Sequence, residues 1–212
     1  MKTTSNIYSE VAKCVPRCLD DLEKKYEFEF EVGFRNVGDS HLVQAYPVSN
    51  GNEIRVRCDR LEGILDDSDY AFERTKNTYL NFLMGHKIDK EYLGGINLLP
   101  KVEGIFLAKE INTGIYYPVI SLQDLGGEII KEMEYGEEKD FAYRSFLKKA
   151  DLIAPYLFNG EYVLEGKHFD SENLIYGPNI HWGNAIWVPE DVESYLINVE
   201  SWQFKSRKFN IK

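Results

Sequence analysis

"VEGIFLAKEINTGIYYPVISLQ", residues 102–123, is the stretch on which the fold class turns. Two runs rich in β-branched and aromatic residues flank Asn112-Thr113-Gly114, and such a turn between such runs specifies a β-hairpin. Working upstream, "HLVQAYPV" (41–48) and "EIRVRCD" (53–59) flank "SNGN", a second hairpin signal because Asn-Gly accepts positive φ. "YEFEFEVGFRNV" (26–37) alternates apolar residues with Glu27, Glu29 and Glu31, the pattern of a strand with one buried face. These last three runs predict an antiparallel meander.

Helical spacing surrounds them. Residues 5–25 predict a helix capped by Thr4 or Ser5 and divided at Pro16. "LDDSDYAFERTKNTYLNFLMGH" (65–86) predicts a helix capped by Asp67 or Ser68 and ended by Gly85, with Phe72, Tyr79, Leu80 and Leu83 on one stripe. A third helix is expected over Glu137–Ala154, and "GEYVLEG" (160–166) reads as a strand. The expected fold is α+β, with antiparallel sheets and flanking helices, in two lobes. "EYLGGINLLPK" (91–101) marks the junction, so the expected lobes are 1–95 and 96–212.

The 212 residues are 43% hydrophobic and 14% aromatic, enough for a core and unlike a disordered chain. Acidic residues outnumber basic ones 35 to 25, a formal charge of −10. That balance opposes a direct grip on DNA phosphates and suits a partner with a basic surface. No run has the length of a signal peptide's apolar segment or the roughly 20 residues of a membrane span. Three cysteines in no disulfide pattern point to a reducing cytoplasm. Phosphate-loop and nucleophile-elbow motifs are missing, and no cofactor is expected.

Among candidate sites, Cys14, Cys18 and Cys58 fall short of a zinc set because a fourth ligand is not evident. They are expected to be buried, inert thiols. "DDSD" (66–69) lacks the glycine and distal glutamate of a calcium loop and suits helix capping. No metal site is expected. "EIIKEMEYGEEKD" (128–140) carries Glu128, Glu132, Glu134, Glu137, Glu138 and Asp140 around Tyr135. Such a run is either a solvated face or an acidic patch that competes with phosphate for Lys and Arg. Trp182 and Trp187 supply aromatic anchors for the second reading.

"FDSENLIYGPNIHWGNAIWVP" (169–189) followed by "EDVESYL" (190–196) resembles the strand–turn–strand–helix of HNH-type proteins, many of them phage and homing endonucleases. Asp170 and Glu172 stand at the acidic positions, "YGPN" at the turn and "WVP" at the end of the second strand. The hairpin at 102–123 also resembles the small DNA-reading sheet that accompanies such modules, although here it comes first. The resemblance implies His168 as general base and Asp170 as metal ligand if the module is active. The chain departs from the pattern: Glu193 replaces the helical Asn, His181 falls in the second strand, and the approach surface is acidic. The expectation is therefore a module without catalysis. The expected function is an acidic, phage-type inhibitor of a bacterial defence nuclease, anti-CRISPR-like, that occupies a basic nucleic-acid-binding surface. The alternatives are a metal-dependent HNH-like endonuclease, and an antitoxin or immunity protein that blocks a cognate toxin.

Overall fold

The computed structural model describes residues 4–29, 41–59, 68–157, 180, 182–200 and 202–205. Its elements are helices α1 (Thr4–Val11), α2 (Ser68–Ile88) and α3 (Glu137–Ile153), and eight strands. The strands are β1 (Lys24–Phe28), β2 (His41–Val48), β3 (Asn52–Asp59), β4 (Val102–Glu110), β5 (Tyr116–Gln123), β6 (Glu128–Ile129), β7 (Ala185–Val188) and β8 (Glu193–Leu196). The fold is α+β.

Two compact units are present, and they interleave along the chain. The sheet unit comprises Lys13–Leu80 and Lys101–Asp124; the helix-rich unit comprises Met1–Ala12, Asn81–Pro100 and Leu125–Lys212. The chain passes between them at Ala12/Lys13, within α2, at Pro100/Lys101 and at Asp124/Leu125, whereas the sequence expectation divides the chain once, into 1–95 and 96–212.

Both hairpins at 41–59 and 102–123 form where the sequence places them, and they join one five-stranded sheet of order β1-β4-β5-β3-β2. β5 pairs antiparallel with β3, with Val119 opposite Val56 and Gln123 opposite Asn52. β1 is not the first strand of a meander; it runs parallel to β4, with Phe28 opposite Glu110. The hairpin β4–β5 therefore has neighbours on both sides and is not a free-standing three-stranded sheet. Phe28 is buried while Glu27 and Glu29 are exposed, as their alternation requires. One face of the sheet packs Phe28, Ile54, Val56, Tyr117 and Val119 together, each such side chain contributing roughly 1.5–3 kcal/mol when fully buried.

The turn of β4–β5 is built by a side chain. The Glu110 carboxylate accepts the N–H groups of Asn112 (3.2 Å) and Thr113 (2.6 Å), and Gly114 takes φ 72°. The Thr113 side chain first, and then these two N–H groups and the Asn112 side chain, hold the Glu110 carboxyl below its ordinary range against the opposing effect of burial. At the other end of the sheet, Glu103 Oε2 accepts from Asn52 Nδ2 (2.6 Å), Tyr26 Oη (2.8 Å) and Ser121 Oγ (2.9 Å). Lys25 pairs with Glu103 Oε1. Lys25 and the donors together lower the Glu103 pKa to about 2. The network ties four strands in register.

Three helix expectations change. α1 ends at Val11 and gives way to short 3₁₀ turns at Ala12–Cys14 and Leu19–Asp21, so Pro16 follows the helix instead of kinking it. α2 passes through Gly85 and ends in a π-turn at Asp89–Leu93, closed by Gly94 at φ 84°. Gly85 serves packing, since a Cβ there would stand 2.5 Å from Leu99 Cδ1. The segment after Pro189 is a turn followed by β8, not a helix, so Glu193 lies on a strand opposite Val188.

Cys14 and Cys18 are exposed, contrary to the expectation of burial; the α-helix expected over them stops at Val11. Among the described residues, no group of three His, Cys, Asp or Glu could hold a metal ion, and no helix is long and apolar enough to cross a membrane.

Candidate functional site

The acidic run occupies one continuous piece of the helix-rich unit: β6, a loop over 130–136, and the first turn of α3. β6 pairs with β7, Glu128 opposite Trp187 and Ile129 opposite Ile186. The approach is close enough to demand glycine beside it; a Cβ on Gly127 would sit 2.1 Å from the Trp187 carbonyl oxygen. Ile130 (0% exposed) and Met133 (7%) plug the loop into the core. The Ile130 N–H donates to Ala185 O and the Met133 N–H to Ile129 O. With those two side chains inward, Glu132, Glu134 and Tyr135 turn to solvent, and Tyr135 is 92% exposed.

Lys139 sets the shape of this loop. Its side chain is 5% exposed, and Nζ donates to Met133 O (2.7 Å) and Lys131 O (3.1 Å). The ammonium lies 4.3 Å from the Tyr135 ring centroid and 5.3 Å from that of Trp182, both within cation–π range. A lysine that sequence reasoning places among solvated charges is thus turned inward. The six acids Glu128, Glu132, Glu134, Glu137, Glu138 and Asp140 all remain exposed. Glu137, Glu138 and Asp140 stand in the first turn of α3, where the helix's unpaired N–H groups favour negative charge.

Of the two anchoring tryptophans, the structure keeps one near the surface. Trp182 is half-buried and packs edge-on to Tyr143 at 5.7 Å. Trp187, expected as an exposed anchor, is 3% exposed and packs in the core. Its Nε1–H donates to Glu138 Oε1 (3.0 Å), and its ring meets Phe141 at 5.6 Å. Phe141, 51% exposed, is the aromatic surface that neighbours the acids in its place. The signal for Phe141 was in the sequence, four residues after Glu137; the inward turn of Lys139 had none.

His168, Asp170 and Glu172, which the HNH resemblance would use, lie outside the described residues, as does His181, which departs from that pattern. Glu193, at the position of the family's helical Asn, accepts from Lys149 Nζ at 3.1 Å.

No protein-family model and no curated protein matches the chain. One similar solved structure is described as "Structure of vaccinia related kinase 3", with a TM-score of 0.36 and 16% identity over 79% of this chain. The match spans 53% of that kinase chain, about half its length.

Proposed function

We propose that the protein is a non-catalytic binding protein that offers the acidic face at 128–140 to a basic, nucleic-acid-binding surface of a protein partner. The observation that carries this reading is the sorting of charge. Six carboxylates and the ring of Tyr135 face solvent beside a single exposed lysine, Lys131, while Lys139, within the same run, spends its ammonium on internal carbonyls and rings. A surface of this kind combines long-range attraction for Lys and Arg with an aromatic that can stack on them once they arrive. The partner class we favour is a bacterial defence nuclease, which the protein would inhibit as a phosphate mimic in the reducing cytoplasm.

The test is displacement of labelled nucleic acid from a panel of such nucleases. The wild-type chain should displace the nucleic acid from its target, and the effect should weaken steeply as salt rises. Reversal of Glu134, Glu137 and Glu138 to Lys should slow association, and Tyr135→Ala should speed dissociation. Failure to displace from any member, or indifference to the triple reversal, would sink the reading. Metal-dependent DNA cleavage lost on His168→Ala would instead support a nuclease, and neutralisation of a co-encoded toxin would support an antitoxin.

A further inference from the structure

Residues 94–100 follow the π-turn and lead toward β4 without regular structure, yet Leu98 (0% exposed) and Leu99 (2%) are buried. Buried irregular backbone needs a partner for each polar group, and here many of those partners converge from elsewhere in the unit. Asp89 supplies three: its carbonyl accepts from Gly95 N–H (3.0 Å), Oδ1 from Ile96 N–H (2.8 Å) and Oδ2 from Leu98 N–H (3.0 Å). Lys149 Nζ donates to Asn97 O (2.8 Å), and Leu196 N–H to Leu98 O (3.0 Å). His86 Nε2 lies 2.9 Å from Pro100 O, which fixes that nitrogen as the protonated donor. Asn97 is held at φ 54°, a left-handed conformation that a free chain seldom chooses.

We propose that residues 94–100 form a proton-gated strap, whose local opening takes up a proton at His86 and therefore becomes easier as the solution acidifies, ahead of global unfolding. The strap is closed by three titratable side chains, Asp89, Lys149 and His86, and histidine is the residue type whose ordinary pKa lies near neutrality. While the strap is closed, burial is the largest influence on the imidazole and pushes its pKa below 6.5; Pro100 O and the Asp89 carboxylate oppose this and do not overcome it. Among the neighbouring charges, Lys90 and Glu190 are exposed to solvent and the others are paired. Lys87 pairs with Glu10 and Glu91, Lys149 pairs with Glu193, and Asp191 accepts from Tyr195 Oη. Opening breaks the bond to Pro100 and hydrates the ring, which then titrates at its ordinary value.

The sign follows from linkage. A folded pKa lowered below the open value means that the open state binds more protons, so acid favours opening. Above pH 6.5 the strap's opening is indifferent to pH; below it, opening becomes up to about tenfold more frequent per pH unit, until the closed state also protonates.

Amide hydrogen exchange on the full chain tests this, read at Ile96 and Leu98 after correction for intrinsic rates, with Val119 and Ile120 as reference amides in the sheet. In the wild type, protection of Ile96 and Leu98 should fall below pH 6.5 while the reference amides hold. His86→Gln, whose amide can still donate to Pro100 O, should keep the strap closed and flatten the pH dependence. Asp89→Asn, which keeps one acceptor oxygen and turns the other into a donor, should lower the protection of at least one of the two amides at every pH without loosening the sheet. The same slope in His86→Gln, protection that ignores pH, loss shared by the reference amides, or intact protection in Asp89→Asn would each overturn the strap.

Discussion

Lys139 and Lys149 stand ten residues apart on α3, and each is 5% exposed. They use burial differently. Lys149 reaches a carboxylate, Glu193 Oε2 at 3.1 Å, as well as Asn97 O, and lies 4.7 Å from the Tyr195 ring centroid. Even so, burial holds its ammonium below the ordinary lysine range. Lys139 donates to two backbone carbonyls and lies over the rings of Tyr135 and Trp182. An ammonium taken from water needs compensation from charge or from aligned dipoles. The pair shows α3 using one kind of side chain to pin two irregular segments, once through an ion pair and once through dipoles and π-faces. The second solution leaves every carboxylate of the acidic run exposed.

Substitutions should break this comparison in a definite order. Lys149→Ala should cost most, about 2 kcal/mol in urea unfolding, because the Asn97 carbonyl loses its donor, Glu193 its counter-charge and the core the buried lysine stem. Lys139→Met keeps the apolar stem and should cost less, about 1.5 kcal/mol, the penalty of leaving two carbonyls unpaired. It should also free the 131–135 loop to exchange amide protons. Glu193→Gln should lose less than about 1 kcal/mol, since that side chain is 35% exposed and its pair is screened. If Glu193→Gln instead matches Lys149→Ala, the ion pair and not the Asn97 contact dominates.

One substitution should stabilise. Val192, in the turn before Glu193, adopts φ 55°, a conformation that a β-branched residue resists. Val192→Gly should raise the unfolding free energy by about 0.5–1 kcal/mol and leave the pinning of Lys149 unchanged. The smallest effect concerns a third lysine, Lys25, paired near the surface with Glu103. The Glu103 carboxyl sits at about 2 when folded, against 4.5 when free. A depressed folded value stabilises above 4.5, and that contribution drains away as pH falls from 4.5 toward 2. Thermal scans across that window should show a shallower acid loss in Glu103→Gln.

The elements themselves were largely legible. Alternation and turn chemistry are local, so both long hairpins and the start of α3 at Glu137 stood in the sequence. Strand neighbours were not legible: nothing in "KKYEF" or "VEGIFLAKE" announces that β1 takes a parallel place beside β4. β8 was misread because "PEDVESYL" has helical spacing with acids at its start, and tertiary contacts overrode it. The Ser194 hydroxyl donates to Ala142 O (2.8 Å), and its N–H donates to Ser145 Oγ (3.1 Å), a fit that an extended backbone provides. At the candidate site, the exposure of the acids followed from composition. The burial of Trp187 and Lys139 depended on β7 and the 130–136 loop, which meet them only in the folded chain.

The interleaving of the two units bears on the order in which the chain can assemble. β1 is complete by residue 28, yet its ladder partner Leu107–Glu110 follows some eighty residues later, after a stretch that belongs to the other unit. Closing so long a loop before any ladder bond forms is slow, and it favours late, concerted closure of the sheet. On the ribosome, β1 must wait with an unpaired edge while β2, β3 and α2 emerge, and the β4–β5 hairpin then enters between strands already made. Neither unit is a contiguous length of chain, so no single cut could release one of them as an independent folding fragment.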